Sequence, residues 1–245
     1  NCTTNPECDD SNPCTDDACA PSGCLHVPNA APCDDGDACS TGDRCAAGAC
    51  AGTGMLVCDD GDLCTSDVCV PAVGCEHAAA PRPICFAAGA AKIRVRDRAP
   101  DAGDQLVWSW RSGASLAPSV FGDPGAATRY ALCVFDRVAG VPEAAAALGL
   151  PPGTGWERRP GGWVYRDRSG AADGVRTVSL QAGVKGGRIS LTAKGAGVPL
   201  PVARHPYRLF GQDPVLTLQL VRDDGTCWES SFGPATNRWH VATRF

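Results

Sequence analysis

No apolar run in the 245 residues is long enough to cross a bilayer as a helix, which takes about 20 such residues. Nor is there a charged start, apolar middle and small-residue cleavage site of the kind that marks a secretory leader. The chain is therefore expected to be a mature form or a fragment of a longer one, with no membrane span. Lysine is scarce beside arginine while alanine and glycine abound, a composition that suggests a GC-rich bacterial genome. Familiar catalytic signatures are missing as well. There is no Ser-His-Asp order, no His-Glu-x-x-His, no glycine-rich phosphate loop and no isolated carboxylate pair in an apolar setting. Glu143, Glu157 and Glu229 are too scattered to nominate, and no enzyme is expected.

What the chain does contain is divided sharply near Phe86. Fourteen of the sixteen cysteines lie in residues 1 to 85, and all six tryptophans lie beyond them. The first 85 residues carry 14 acids against Arg44 and Arg82, a net −12; the remainder carries 13 acids against 20 Lys and Arg, a net +7. An even number of cysteines at this density points to disulfides in an oxidising, extracellular setting. Structural zinc asks for paired Cys-x-x-Cys or Cys/His spacings, whereas successive cysteines within each repeat are separated by four or five intervening residues, with no His placed to complete a site.

Within residues 1 to 85 one pattern is written three times at a period of 25. Cys8-Asp9-Asp10-Ser11-Asn12-Pro13-Cys14 recurs as Cys33-Asp34-Asp35-Gly36-Asp37-Ala38-Cys39 and as Cys58-Asp59-Asp60-Gly61-Asp62-Leu63-Cys64. Each unit continues through a hydroxyl (Thr15, Ser40, Thr65), an acid (Asp17, Asp43, Asp67), a third cysteine and a closing fourth (Cys24, Cys50, Cys75). So few apolar residues cannot build a hydrophobic solenoid; cross-links must hold the segment. The expectation is an elongated, disulfide-rich rod of little regular secondary structure. Cys2 and Cys85 belong to no unit. They pair with each other or with another chain if the units close internally. A shifted register instead uses every cysteine of the segment: Cys2 with Cys8, Cys14 with Cys19, Cys24 with Cys33, Cys39 with Cys45, Cys50 with Cys58, Cys64 with Cys69 and Cys75 with Cys85. The sequence leaves the register open.

The repeated oxygens suggest a ligand. Calcium takes six to eight oxygens from a loop able to bend, and Gly36 and Gly61 supply bends. The candidate ligands are Asp9, Asp10, Asn12 and Asp17; Asp34, Asp35, Asp37 and Asp43; Asp59, Asp60, Asp62 and Asp67. The spacing is not that of the twelve-residue EF-hand loop. A competing reading makes these acids turn formers and a solvated surface, because Asp and Asn bond their own backbone. His26 and His77, each two residues after a fourth cysteine, are read as exposed turn residues, not ligands.

The pattern Cys-Asp-Asp-Gly-Asp-x-Cys-Thr-x-Asp-x-Cys followed by Gly-Cys resembles the Dictyostelium-type cysteine-rich repeat over residues 8 to 75. Ser40 and the longer gap between Cys39 and Cys45 depart from it. The resemblance implies an extracellular matrix or cell-surface role without catalysis. The C-terminal region resembles an uncharacterised β domain found beside such repeats in bacterial proteins, which implies no function.

Pro81-Arg82-Pro83 stiffens the joint to the second part. From there the period becomes two, the mark of a strand buried on one face. Ile93 to Arg96, Leu106 to Trp110, Tyr130 to Phe135, Trp163 to Arg166, Val175 to Leu180, Arg188 to Lys194, Leu216 to Leu220, Thr226 to Phe232 and Arg238 to Phe245 are the strand candidates. Pro142 to Leu148, rich in alanine, reads as a short helix. Residues 86 to 245 are thus expected to form an antiparallel β-sandwich, with Cys133 bonded to Cys227. The fold class is mainly β, a cross-linked repeat segment followed by a sandwich. Its tryptophans fit a core better than a sugar-stacking platform, and its arginines an outer strand face better than a nucleic-acid site. Expected partners are other copies of the chain joined head to tail through the opposite charges, other surface or matrix proteins, or a glycan. The Trp239 to Phe245 strand either completes its own sandwich or adds to a neighbour's sheet.

Overall fold

With so few apolar side chains to bury, the repeats fold as short hairpins whose interior is sulfur. The computed structural model describes residues 2–98, 100–112, 114–138, 140–198, 215–233 and 239–244, with the backbone alone described at 138 and 239–244. The chain forms two compact units, Asn1–Gly61 with Asp67–Ala78 and Asp62–Ser66 with Ala79–Phe245.

In the first unit, strands β1 (Thr15–Ala20) and β2 (Gly23–Pro28) pair, as do β3 (Ser40–Thr41) with β6 (Gly54–Met55), β4 (Arg44–Ala46) with β5 (Ala49–Ala51), and β7 (Ser66–Val70) with β8 (Gly74–Ala78). The buried side chains of this unit, among the described residues, are Cys8, Cys14, Cys39 and Cys45. The pairing is regular. First and fourth cysteines join within each repeat, as Cys8–Cys24, Cys33–Cys50 and Cys58–Cys75. The second cysteine of one repeat joins the third of the next, as Cys14–Cys45 and Cys39–Cys69. Cys2 fills the third-cysteine bond of the first repeat by pairing with Cys19. None of the shifted-register bonds forms. In the first repeat the reason is the strand itself: an extended β1 puts Cys19 roughly 16 Å along the chain from Cys14, against a Cα separation below about 7 Å for a disulfide.

The second unit is a two-sheet sandwich. One sheet runs β14 (Trp156–Arg159), β15 (Gly162–Arg166), β16 (Val175–Gln181), β17 (Arg188–Lys194), β11 (Gln105–Arg111), β10 (Ala90–Arg98), β20 (Trp239–Arg244). The other runs β13 (Val141–Leu150), β12 (Tyr130–Val138), β18 (Leu216–Arg222), β19 (Cys227–Phe232), β9 (Phe86–Ala87). Pairing is antiparallel except where β20 joins β10 and β9 joins β19 in parallel. The alternation seen in sequence sends Trp108, Trp110, Leu191, Leu218, Leu220 and Trp228 into one core. Indole N–H groups cross between the sheets, from Trp108 Nε1 to Ser230 Oγ at 2.8 Å and from Trp110 Nε1 to the Glu229 carbonyl at 2.9 Å. The buried Tyr130 hydroxyl donates to the Phe121 carbonyl.

The five-stranded sheet is buried on both faces. Ala131, Cys133, Phe135, Val221 and Cys227 point away from the main core and pack with Cys64, with Leu63 and Cys85 alongside. Two disulfides close this layer, Cys64–Cys133 and Cys85–Cys227. Gln219, fully buried on the same face, accepts from the Arg82 N–H and donates to the Arg82 carbonyl, both at 2.9 Å, fixing the proline-flanked joint. The division of the chain accordingly differs from a cut at residue 85, since residues 62–66 and 79–85 go with the sandwich.

Two expectations need correction, and one left open is decided. Cys133 is not bonded to Cys227, because β18 lies between their strands; two strand spacings are about 9.6 Å, out of disulfide range. Pro142 to Leu148 is not helical but lies within β13, where Ala146, Leu148 and Leu150 alternate into the core opposite β12. Alanines on the outward positions hid the period of two, and sheet pairing overrides their helix propensity. The C-terminal strand joins its own sandwich as the edge of the seven-stranded sheet; Phe245 lies outside the described residues.

Peptide mapping of unreduced protein should recover Cys64 linked to Cys133 and Cys85 linked to Cys227; a Cys133–Cys227 peptide would overturn this wiring. Replacing Cys64 and Cys133 together by Ser should lower the stability of the sandwich by about 4 kcal/mol on the chain-entropy account, read by guanidinium unfolding.

Candidate functional site: the acidic loops

Each Cys-Asp-Asp loop is a short ladder of side-chain-to-backbone bonds. In the first repeat Asp9 Oδ1 accepts from the Ser11 N–H at 2.7 Å, Asp10 Oδ1 from Asn12 N–H at 2.9 Å, and Asn12 Oδ1 from Cys14 N–H at 2.9 Å. The second repeat repeats this with Asp34 to Gly36, Asp35 to Asp37 and Asp37 to Cys39, at 2.8 to 2.9 Å. In the third, Asp59 Oδ1 accepts from Gly61 N–H and Asp62 Oδ1 from Cys64 N–H. A carboxylate that accepts the N–H two residues on stands in for a backbone turn. The bend needs a left-handed residue, supplied by Gly36 at φ 77° and Gly61 at φ 78°, and by Ser11 at φ 60° in the first repeat. The hydroxyl after the second cysteine locks the ladder: Thr15 Oγ1 donates to Asp10 Oδ1 and Ser40 Oγ to Asp35 Oδ1.

The later acid of each repeat comes back against this ladder. Asp17 Oδ2 accepts from the Asp10 N–H at 3.0 Å, and Asp43 Oδ2 from the Asp35 N–H at 3.4 Å. Register pairs Asp17 on β1 with His26 on β2. The His26 Nδ1 therefore lies 2.8 Å from Asp17 Oδ1 and 3.3 Å from Asp10 Oδ2. His77 repeats the arrangement, 2.9 Å from Asp67 Oδ1 and 3.5 Å from Asp60 Oδ2. In the second repeat, where Gly52 stands in place of histidine, its N–H donates to Asp35 Oδ2 at 2.9 Å, and the Ser40 hydroxyl, with one proton to give, lies as close to Asp43 Oδ1 as to Asp35 Oδ1, 2.9 Å from each. All three repeats thus bring their paired acids together around a donor from the chain. The histidines are strand residues aimed at carboxylates, not turn residues. Their matching position after the fourth cysteine was the available signal.

Hydrogen bonding to Asp17, then the charges of Asp10 and Asp17, raise the His26 pKa above its ordinary value; Asp67 and Asp60 do the same to His77. The reciprocal bond from His26 lowers the Asp17 pKa, and the backbone N–H of Asp37 leads the lowering at Asp35.

This donor set does not fit a calcium cage. The space between the paired carboxylates is filled by an imidazole nitrogen in the first and third repeats and by N–H and O–H donors in the second. Calcium requires several converging oxygens, and the grouped ligand atoms of Asp10, Asp17 and His26, like those of Asp60, Asp67 and His77, include a nitrogen. The acids fulfil the turn role instead. In the sandwich, Trp108, Trp110 and Trp228 are fully buried and Trp156 and Trp163 nearly so, which leaves none of these five as a sugar platform; the Trp239 side chain lies outside the described residues. Glu229 accepts from Gln219 Nε2, and Glu157 pairs with Arg159 and Arg166; neither is poised for acid-base work.

Two outcomes are expected. Because the loops are closed by their own donors, millimolar calcium or a strong chelator should leave the melting temperature of the oxidised protein unchanged, and a rise with calcium would reinstate the metal. For pH, a raised histidine pKa contributes stability that is complete below the unfolded value near ~6.5 and lost as pH rises through the folded value. The lowered Asp17 value contributes stability complete above ~3.9 and lost as pH falls through the folded value. The hairpins of the first repeat should therefore exchange their amides most slowly between about pH 4 and 6 after correction for intrinsic rates. Opening should increase toward pH 8.5, and His26→Gln should flatten that alkaline limb.

A family model described as a Dictyostelium (slime mold) repeat matches residues 7–29 and 57–79. No curated protein and no solved structure matches the chain. The two matched segments are the repeats that carry the Asp-Asp-His cluster; the second repeat, with Gly52 and the longer Cys39 to Cys45 gap, is outside the match. The first and third repeats are thus similar to that cysteine-rich repeat family.

Proposed function

We propose that the protein is a non-enzymatic structural component of an extracellular surface or matrix, its repeats serving as a cross-linked spacer and its sandwich as the contact module. The observation that carries this reading is the complete use of sixteen cysteines in eight disulfides, with no free thiol. Such density persists in oxidising compartments, and a unit whose interior is sulfur has little to hold it after reduction. The similarity to the cysteine-rich repeat supports the same reading. Head-to-tail self-association is the form of assembly favoured by the charge division between the halves. Edge strand β20, bonded on one side to β10, offers a place for a neighbour's strand.

Secretion into an oxidising compartment should yield protein that co-fractionates with the cell surface or matrix, whereas a soluble, fully reduced cytosolic form that remains protease-resistant would overturn the structural reading. Light scattering at high protein concentration should show growing assemblies. A strictly monomeric protein would remove self-association and leave the matrix role standing.

A further inference from the structure

The two sheets of the sandwich differ on their outer faces. The five-stranded sheet is covered, whereas the seven-stranded sheet presents, among the described residues, an outer face of hydroxyl-bearing residues and charges that are mostly basic. In β10, Ile93 and Val95 point inward, so Lys92 and Arg94 point outward; in β17 the outward positions are Arg188, Ser190, Thr192 and Lys194. Strand register assembles these into rows. Arg94, Val107, Thr192, Thr177 and Arg166 follow one another across five strands, so the two arginines bound a strip about 19 Å wide. Lys92, Ser109, Ser190 and Ser179 form the next row, a cation followed by three hydroxyls. Beyond it Arg111 faces Arg188 directly.

That last pair is informative. Like charges directly opposite on one sheet face destabilise the pairing, and Arg111 and Arg188 are both exposed, with no carboxylate partner among the described residues. On this face the ion pairs among the described residues are the two that Glu157 makes, with Arg159 and with Arg166. Two hollows lie on the same side. One of about 510 Å³ is lined by Arg166, Arg168, Arg176 and Lys194 beside the single acid Asp167. The oxygens of Asp167 are already taken by Ser169 and the Ala171 N–H. The other, of about 340 Å³, is lined by Lys92, Ser109 and Arg111.

We propose that this face binds an acidic polysaccharide, with the arginines and lysines pairing carboxylate or sulfate groups and the serine and threonine rows bonding sugar hydroxyls. Arginine is the side chain suited to bidentate carboxylate or sulfate-like groups. A flat field of charge and hydroxyls matches an extended chain bearing both. Nucleic acid is the poorer match: single strands need aromatic platforms for their bases, and the outward positions of β10, β11, β15, β16 and β17 carry no aromatic residue. The inference rests on the extracellular reading above, but its test is separate, since failure to bind would leave the disulfide wiring and surface location untouched.

The test is binding of full-length oxidised protein to heparin and polygalacturonate oligosaccharides, with neutral dextran and a DNA duplex as controls, by calorimetry across a salt series. Both acidic oligosaccharides should bind, dextran should not, and affinity should fall as salt rises. Arg111→Gln with Arg188→Gln should weaken binding about tenfold at physiological salt and make the salt dependence shallower. The melting temperature should not fall, because a repulsive pair is removed. Lys194→Gln with Arg166→Gln should give the same loss from the other end of the face, and serves if the first variant misfolds. Arg137→Gln, on the five-stranded sheet, should change nothing. Absence of binding below millimolar concentration, unchanged affinity in a folded face variant, or tighter binding of the DNA would each overturn the proposal.

Discussion

The wiring of the cysteines governs everything else in this chain, because the repeats have no other interior. A second cysteine always reaches forward to the third cysteine of the following unit, so each repeat is closed by its own bond and held by its neighbour's. The rule creates a vacancy at the end of the series. Cys64 has no fourth repeat to bond, and Cys133 of the sandwich takes the place of that missing third cysteine. The bond in turn draws residues 62–66 onto the sandwich, where with Cys85–Cys227 they cover a sheet face that would otherwise expose Phe135 and Val221.

That covering explains the composition of the sandwich strands. β12 and β18 are apolar on both faces, Leu132 and Leu218 toward the main core and Ala131 and Val221 toward the cystine layer. Gln219, a large polar side chain inside that layer, has each end of its amide engaged by Arg82, with Glu229 as a further acceptor, as a buried amide requires. Among the described residues the opposite sheet is patterned differently, apolar inward and mostly basic or hydroxyl-bearing outward.

The acid-rich loops show how far a charge count can mislead. Four acidic or amide residues in a tight loop suggest a cation, yet their oxygens are used in bending the chain, and the residual repulsion between paired acids is offset by an imidazole or an N–H. His26 and His77 do for two repeats what Gly52 and Ser40 do for the middle one. The acids beside each imidazole raise its pKa, which links the expected stability of these hairpins to pH.

Most of the strands were legible because a half-buried strand must alternate, and the Ile93, Trp108, Leu191 and Leu218 segments do so without interruption. The repeat, its period and its dependence on disulfides were equally legible, since cysteine spacing and the lack of apolar residues are properties of the chain itself. Where alternation was masked by alanine, as in β13, local pattern gave the wrong element. Pairing of cysteines lay beyond the sequence for a different reason: a disulfide depends on which Cα atoms come within about 7 Å, and that is decided by strand order. Only the tertiary structure inserts β18 between Cys133 and Cys227, sets His26 against Asp17, and lines up Arg94, Arg166, Arg111 and Arg188 on one face. Periodicity says which way a side chain points; register and topology say what it meets.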